Sequence, residues 1–159
     1  MRRKDREILD TQFIDKILND AVYGNLGLCD NGEPYVIPMN YAWSDNKIWL
    51  HCANEGRKLD IMKVNSKVCF QVSGEAELIF SEEDACRSGM YYSSVIILGN
   101  ASIIEEHEEK SAALEKLMQH FSKGFSHKFT QEETSRVTII SINPESITCK
   151  ARVKQAPNN

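Results

Sequence analysis

The chain has 159 residues, of which 42% are hydrophobic and 26% are charged, and these fractions are typical of one globular domain. Its formal net charge is −4 and it has no basic cluster, which argues against general nucleic-acid binding. The basic residues 1–4 are not followed by an apolar core, and no apolar run approaches the roughly 20 residues of a membrane span, so we expect neither a signal peptide nor a membrane anchor.

The first predicted elements are a helix and a series of β-hairpins. Asp10 or Thr11 can cap a helix whose apolar residues recur at helical spacing up to Ala21. Strands over 24–29 and 35–43 flank a turn at 30–33, where Asn-Gly supplies the positive φ of a tight hairpin. A second turn at 44–47 precedes a strand over 48–53, and a short helix is predicted over 57–65.

The second half of the chain continues this pattern. We predict strands over 66–72 and 76–80, a polar loop over 81–91, and a strand over 92–105 with a bend at Gly99-Asn100. A helix over 106–123 and two strands, 136–142 and 146–153, follow. Consecutive hairpins favour a closed antiparallel barrel over a doubly wound sheet. We expect one domain over 1–154 and a flexible tail over 155–159.

The cysteines are odd in number and widely separated, and no C-x-x-C pair occurs. This pattern favours buried reduced thiols over a disulfide framework or a zinc site. We therefore expect a cytoplasmic protein without a bound metal. The cysteines are Cys29, Cys52, Cys69, Cys86 and Cys149.

Gly56-Arg57-Lys58 places two cations at the start of a predicted helix, an end that already favours anions. Two interpretations remain open. The cations can simply face water, as surface charges usually do. Alternatively, free backbone N–H groups and both side chains can converge on a phosphate, with Arg57 supplying a planar fork and Lys58 a compact charge.

Three further features have both a structural and a functional interpretation. Pro38 lacks a donor, so its strand lies at a sheet edge or leaves backbone groups free for a planar ligand. His51 is either a structural side chain or a proton donor near a reaction centre. The hydroxyls of Tyr91-Tyr92-Ser93-Ser94 can bind phosphate oxygens or cap strand ends. Hydrolase, Rossmann and P-loop motifs are missing from the sequence.

The order of these segments resembles the FMN-binding split barrels related to pyridoxamine 5′-phosphate oxidase, and among them the nitroimidazole-resistance flavoproteins. The resemblance runs from residue 2 to residue 152 and is densest over 23–28, 34–41, 51–60 and 92–104. It implies a mainly β domain with flanking helices, built on a six-stranded antiparallel split barrel with Greek-key-like connections. It also implies a homodimer with two FMN molecules at the subunit interface.

By this resemblance, His51 matches a position where some members of the branch place a histidine near the flavin. Four groups of residues would contact FMN. The groups are Val36, Ile37, Pro38 and Asn40 along the isoalloxazine ring, His51, Cys52 and Ala53 beside it, Arg57 and Lys58 at the phosphate, and Tyr92, Ser93, Ser94 and Val95 from either subunit.

The resemblance implies an oxidoreductase that uses electrons from NAD(P)H to reduce a nitroaromatic (5-nitroimidazole-like) or other small acceptor, with His51 near the acceptor. Three alternatives stay open: a non-catalytic FMN-binding or redox-sensing module, haem binding through a histidine ligand, and an enzyme like pyridoxamine 5′-phosphate oxidase. The last is less favoured because the chain is short and has no second arginine-rich phosphate site.

Overall fold

A computed structural model of the protein describes residues 3–154, so the tail predicted over 155–159 lies outside the described residues. The strands are β1 (Glu7–Ile8), β2 (Gly24–Asp30), β3 (Glu33–Met39), β4 (Tyr41–Ser44), β5 (Lys47–Cys52), β6 (Lys67–Ser73), β7 (Glu77–Ile79), β8 (Gly89–Ile104) and β9 (Thr138–Arg152). The helices are α1 (Thr11–Asp20), α2 (Arg57–Val64), α3 (His107–Phe121) and α4 (Gln131–Ser135). No helix within residues 3–154 is long and apolar enough to cross a bilayer.

All strand pairs are antiparallel, in the order β3-β2-β6-β8-β9-β5-β4, with β1 added to β9 and β7 to β8. The prediction of a mainly antiparallel β fold with flanking helices is confirmed. The closed barrel favoured by the hairpin order is wrong, because β3 and β4 form the two ends of the order across residues 3–154. An open sheet agrees with the split barrel that the resemblance implies.

The strand count differs from the predicted six, since nine strands form within the described residues 3–154. The predicted strand over 35–43 breaks at Asn40 into β3 and β4, whereas the two predicted C-terminal strands form one continuous β9. Pro144 does not end β9 because it lies opposite Gly99, at a shift in the β8–β9 register. A Cβ on Gly99 would lie 2.2 Å from the carbonyl oxygen of Asn143, so only glycine permits this close approach.

Both predicted hairpin turns are confirmed. Asn31 and Gly32 have φ of 50° and 92°, and Asp45 and Asn46 both have φ of 55°. Helix α4 was not predicted from the sequence. The sequence does contain a signal for this helix, a capping box in which Thr130 and Glu133 accept hydrogen bonds from each other's backbone N–H groups. The segment was not predicted as a helix because it is short and polar.

The main core lies between the inner face of the sheet and helices α1 and α2. Helix α1 is amphipathic and begins at Asp10, whose carboxylate accepts bonds from two backbone N–H groups. Its far end is tied to the sheet by Tyr41, whose buried hydroxyl donates to the Leu18 carbonyl oxygen at 2.6 Å. A second cluster packs α3 against β5 and β9 around Trp49 and Leu117.

The outer face of the sheet exposes a row of small and apolar side chains. The register places Val36, Gly27, Cys69 and Leu98 side by side across β3, β2, β6 and β8, and we call this set the outer-face row. Val36 is 63% exposed and Leu98 is 48% exposed. Large exposed apolar side chains on neighbouring strands commonly mark an interaction surface.

Candidate functional site

The N-terminus of α2 is an open corner with free backbone donors. Gly56 precedes the helix with φ 131° and ψ 158°, and no side chain caps it. The N–H groups of Leu59 and Asp60 donate to the Gly56 carbonyl oxygen, but those of Arg57 and Lys58 bond to no acceptor within residues 3–154. A Cβ at Gly56 would meet nothing within 4 Å. The corner therefore has both donors and space for an anion.

Arg57 leans over the β2–β3 hairpin. Its Nη2 donates to carboxylate oxygens of Asp30 and Glu33, both at 3.4 Å, and its guanidinium carbon lies 4.8 Å from the centroid of the Tyr35 ring. These contacts were missed from the sequence because they join segments more than 20 residues apart. The two carboxylates partly balance the charge of Arg57, and their bonds are long enough to be weak.

Lys58 connects the corner to the end of β5. The side chain is half-buried, and it lies close enough to Cys52 for its charge to oppose the burial that raises the pKa of the Cys52 thiol. Cys52 points into the core, whereas its neighbours His51 and Ala53 are exposed. The end of β5 and the start of α2 therefore lie close together in the structure.

His51 lies on β5 opposite Ile139 of β9. Although its side chain is exposed at the sheet surface, the surrounding protein removes enough water from the imidazole to lower the pKa of His51 below its usual value. No hydrogen bond joins the ring to another residue of the described range 3–154. The imidazole is therefore neutral at neutral pH and free to bond a ligand.

Within residues 3–154, strand β3 lies at an end of the sheet and pairs with β2 alone, which agrees with an edge position, one of the two interpretations of Pro38. Val36 and Pro38 are exposed on the outer face, and Ile37 packs inward against the core. Asn40 follows the strand and its amide donates to the Val22 carbonyl oxygen at 3.3 Å. The free edge of β3 runs from the Arg57 contact at Tyr35 toward α1.

The four predicted residues of β8 point in different directions. Val95 is fully buried in the core and lies between Val72 of β6 and Cys149 of β9 in the sheet. Ser94 lies opposite Ser73 and Lys150 on the outer face. Tyr92 and Ser93 line a cavity of about 1060 Å³ that shares no lining residue with the cavity of about 420 Å³ beside Arg57. Of the predicted site residues, Tyr92 and Ser93 therefore line one of these two cavities and Arg57 lines the other.

A metal centre has no structural support in the described part of the chain. No group of three His, Cys, Asp or Glu side chains within residues 3–154 could hold a metal ion. All five cysteines are unpaired, and three of them are exposed or half-buried.

The sequence and the fold together define a class of protein. Residues 10–151 match the pyridoxamine 5′-phosphate oxidase family, and the chain belongs to that family. This confirms the resemblance stated from the sequence.

Solved structures agree with this membership. A proposed 5-nitroimidazole antibiotic resistance protein from Bacteroides thetaiotaomicron is 29% identical, with a TM-score of 0.81 over 91% of this chain and 85% of that one. The flavocytochrome Anf3 from Azotobacter vinelandii has a TM-score of 0.85 and 20% identity, over 100% of this chain and 75% of that one. An FAD- and haem-binding protein from Mycobacterium smegmatis has a TM-score of 0.85 and 14% identity, over 97% of this chain and 77% of that one. The last two share the fold alone.

One curated protein is also similar. It is the uncharacterized protein RA0666 from Rhizobium meliloti (strain 1021), which is 39% identical over 49 residues. That match covers 30% of this chain and 31% of the length of the curated relative.

Proposed function

We propose that this protein is an FMN-dependent oxidoreductase that acts as a homodimer in the cytoplasm. The observation that carries the proposal is the corner at the start of α2, where Arg57 and Lys58 begin a helix whose first two N–H groups are free within residues 3–154 and Arg57 packs over Tyr35 of the edge strand β3. Membership of the pyridoxamine 5′-phosphate oxidase family supports it, as does the likeness to a proposed 5-nitroimidazole resistance protein.

The corner fits a phosphomonoester. Such a group carries about −1.5 to −2 charges at neutral pH and accepts several hydrogen bonds. Arg57 offers a planar fork, the half-buried Lys58 offers an ammonium group, and Gly56 leaves open space where any other residue would place a side chain. The contacts of Arg57 with Asp30 and Glu33 are long and exposed to solvent, so a phosphate can replace them at small cost.

The neighbouring elements suit the flat ring of the flavin. Val36, Ile37 and Pro38 on the β3 edge would hold one side of it, mainly through backbone groups, with Asn40 at the end of that strand. His51, Cys52 and Ala53 extend the wall from β5. FMN, when bound, supplies the electron-transfer chemistry, and this chain anchors the phosphate, orients the ring and excludes water.

His51 is the residue we assign to the acceptor. Its imidazole is neutral because its pKa is lowered, and its ring is free of protein hydrogen bonds within residues 3–154, so it can donate one to a nitro or carbonyl oxygen. The proposed donor is NAD(P)H, and the proposed acceptor is a nitroaromatic compound of the 5-nitroimidazole type or another small molecule.

The outer-face row supports the homodimer. Val36 and Leu98 expose apolar surface on strands that also carry the proposed ring contacts, so a second copy would cover both the row and the flavin edge. Among the predicted FMN contacts on β8, Ser94 lies on the outer face of the sheet, whereas Tyr92 and Ser93 line the larger cavity. Leu98→Glu should convert the dimer into a monomer in sedimentation velocity experiments. A variant that sediments like the unaltered protein would contradict the proposed interface.

The activity is tested with the purified protein loaded with FMN. Under anaerobic conditions, NADH or NADPH should bleach the flavin absorbance, and a 5-nitroimidazole should restore it with multiple turnovers. Bound FMN without turnover, across a panel that also contains pyridoxamine 5′-phosphate, would favour a non-catalytic flavin module. Turnover of pyridoxamine 5′-phosphate instead would favour an oxidase of that type. A protein that takes up no FMN, or one with a Soret band, would refute the proposal.

A further inference from the structure

The larger cavity contains a cation, Arg152, that has no ion-pair partner within residues 3–154. It lies between α1, the start of β2, the segment after β6, and the adjoining ends of β8 and β9. Its volume of about 1060 Å³ is comparable with pockets that bury small organic ligands. Lys16 pairs with Asp20, and Lys154 pairs with Glu77 at 2.7 Å. By contrast, no carboxylate within residues 3–154 lies within 4.0 Å of Arg152.

Arg152 is held against the cavity wall by its neighbours. It lies opposite Tyr92 in the β8–β9 ladder, and its guanidinium carbon is 5.6 Å from the centroid of the Tyr91 ring. A Cβ on Gly89 would lie 2.7 Å from Nη1 of Arg152, so the guanidinium rests directly on the glycine backbone. This position fixes a planar fork of donors at the cavity rather than in bulk water.

The rest of the lining is aromatic and hydroxylic. Phe13, Tyr23 and Tyr91 contribute rings, and Tyr92 and Ser93 contribute hydroxyls. The Tyr92 hydroxyl accepts a long bond of 3.5 Å from Arg6, and no hydrogen bond to Ser93 Oγ occurs within the described residues 3–154. Flat apolar surfaces beside a fixed guanidinium suit a ligand with a planar body and one carboxylate.

We propose that this cavity binds a planar aromatic monoanion, whose carboxylate is held by Arg152 and whose ring packs on the tyrosines. Among the cations that line the cavity, Lys16 and Lys154 are already paired, so Arg152 is the one without an ion-pair partner within residues 3–154, and Glu75 is the lining carboxylate that likewise has none. The inference goes beyond the proposed function and does not rest on it, because the electron acceptor is assigned to His51, which does not line this cavity. Binding itself requires no flavin, so the two proposals can fail separately.

The test uses 2-naphthoate and its neutral isostere 2-naphthamide as probes, titrated calorimetrically into the full chain with and without FMN. One charge-assisted bidentate contact should make 2-naphthoate bind about tenfold more tightly than the amide. Arg152→Gln should reduce this preference to within about twofold, and Arg152→Lys should retain part of it. Lys67→Gln removes an exposed cation from the opposite end of β6 and should leave the preference unchanged.

Gly89→Ala provides a second test that keeps the charge. The added methyl group must displace the guanidinium, so the preference for 2-naphthoate should fall by several-fold while thermal unfolding stays close to that of the unaltered protein. This variant decides the question if Arg152→Gln does not fold. Equal binding of the two probes, no binding of either, or an undiminished preference in the folded variants would overturn the inference. If the protein takes up FMN but does not bind 2-naphthoate, the inference about this cavity fails and the proposed function stands. If it binds 2-naphthoate but takes up no FMN, only the proposed function fails.

Discussion

Removing both cations at the start of α2 should weaken FMN binding about 100-fold. Arg57 is 47% exposed, so we take the low end of the range for bonds to a charged group, about 1.5 kcal/mol each. Two such contacts give about 3 kcal/mol, and about 1.4 kcal/mol corresponds to a factor of ten in the dissociation constant. The double variant Arg57→Gln with Lys58→Gln keeps a polar, shorter side chain at both positions and removes both charges.

Riboflavin makes this measurement specific, because it has the isoalloxazine ring of FMN but no phosphate. Fluorescence titration of the flavin-free double variant should show the loss of affinity of about 100-fold for FMN and a change within about twofold for riboflavin. Lys63→Gln is the matched control, since Lys63 belongs to the same helix and pairs with Asp60 at 3.2 Å away from the corner. It should alter neither affinity.

The carboxylates beside Arg57 predict the opposite effect. Asp30→Asn with Glu33→Gln removes two competitors for the guanidinium and should tighten FMN binding several-fold, again without an effect on riboflavin. If the double cation variant binds FMN as tightly as the unaltered protein, the phosphate does not lie at this corner. An equal loss for FMN and riboflavin would show that the variant disturbs the ring site or the fold instead.

Three further predictions concern stability. Gly56→Ala forces a side chain into a conformation that only glycine adopts readily, so it should cost about 1–3 kcal/mol in urea unfolding, and a change near zero would contradict the assigned φ. Tyr41→Phe leaves the Leu18 carbonyl oxygen unpaired in the core and should cost about 1–3 kcal/mol, with no loss expected only if water replaces the hydroxyl. Because the pKa of His51 is lowered in the folded protein, the unfolded chain binds more protons once the pH falls below about 6.5. Acid therefore reduces the free energy of unfolding in that range. The variant His51→Gln should lose less stability on acidification than the unaltered protein.

Local signals in the sequence determined much of the fold. Asn31-Gly32 and Asp45-Asn46 adopt positive φ because the side chains and the turn geometry permit little else, and both hairpins form where they were predicted. Pro38 indicated either an edge strand or backbone groups free for a ligand, since the missing N–H is a property of the residue itself, and its strand lies at an edge. The family resemblance, which rests on the order of such segments, was likewise available from the sequence.

Only the tertiary structure decided which segments became neighbours. The fusion of the last strands into β9 depends on Gly99 lying opposite Pro144, a pairing between distant segments that core packing selects. The same holds for Asp30 and Glu33 against Arg57, and for the separation of Tyr92 from the α2 corner. Side-chain type and short-range spacing specify turns and caps, but the register between remote strands is set by the burial of a whole sheet face at once.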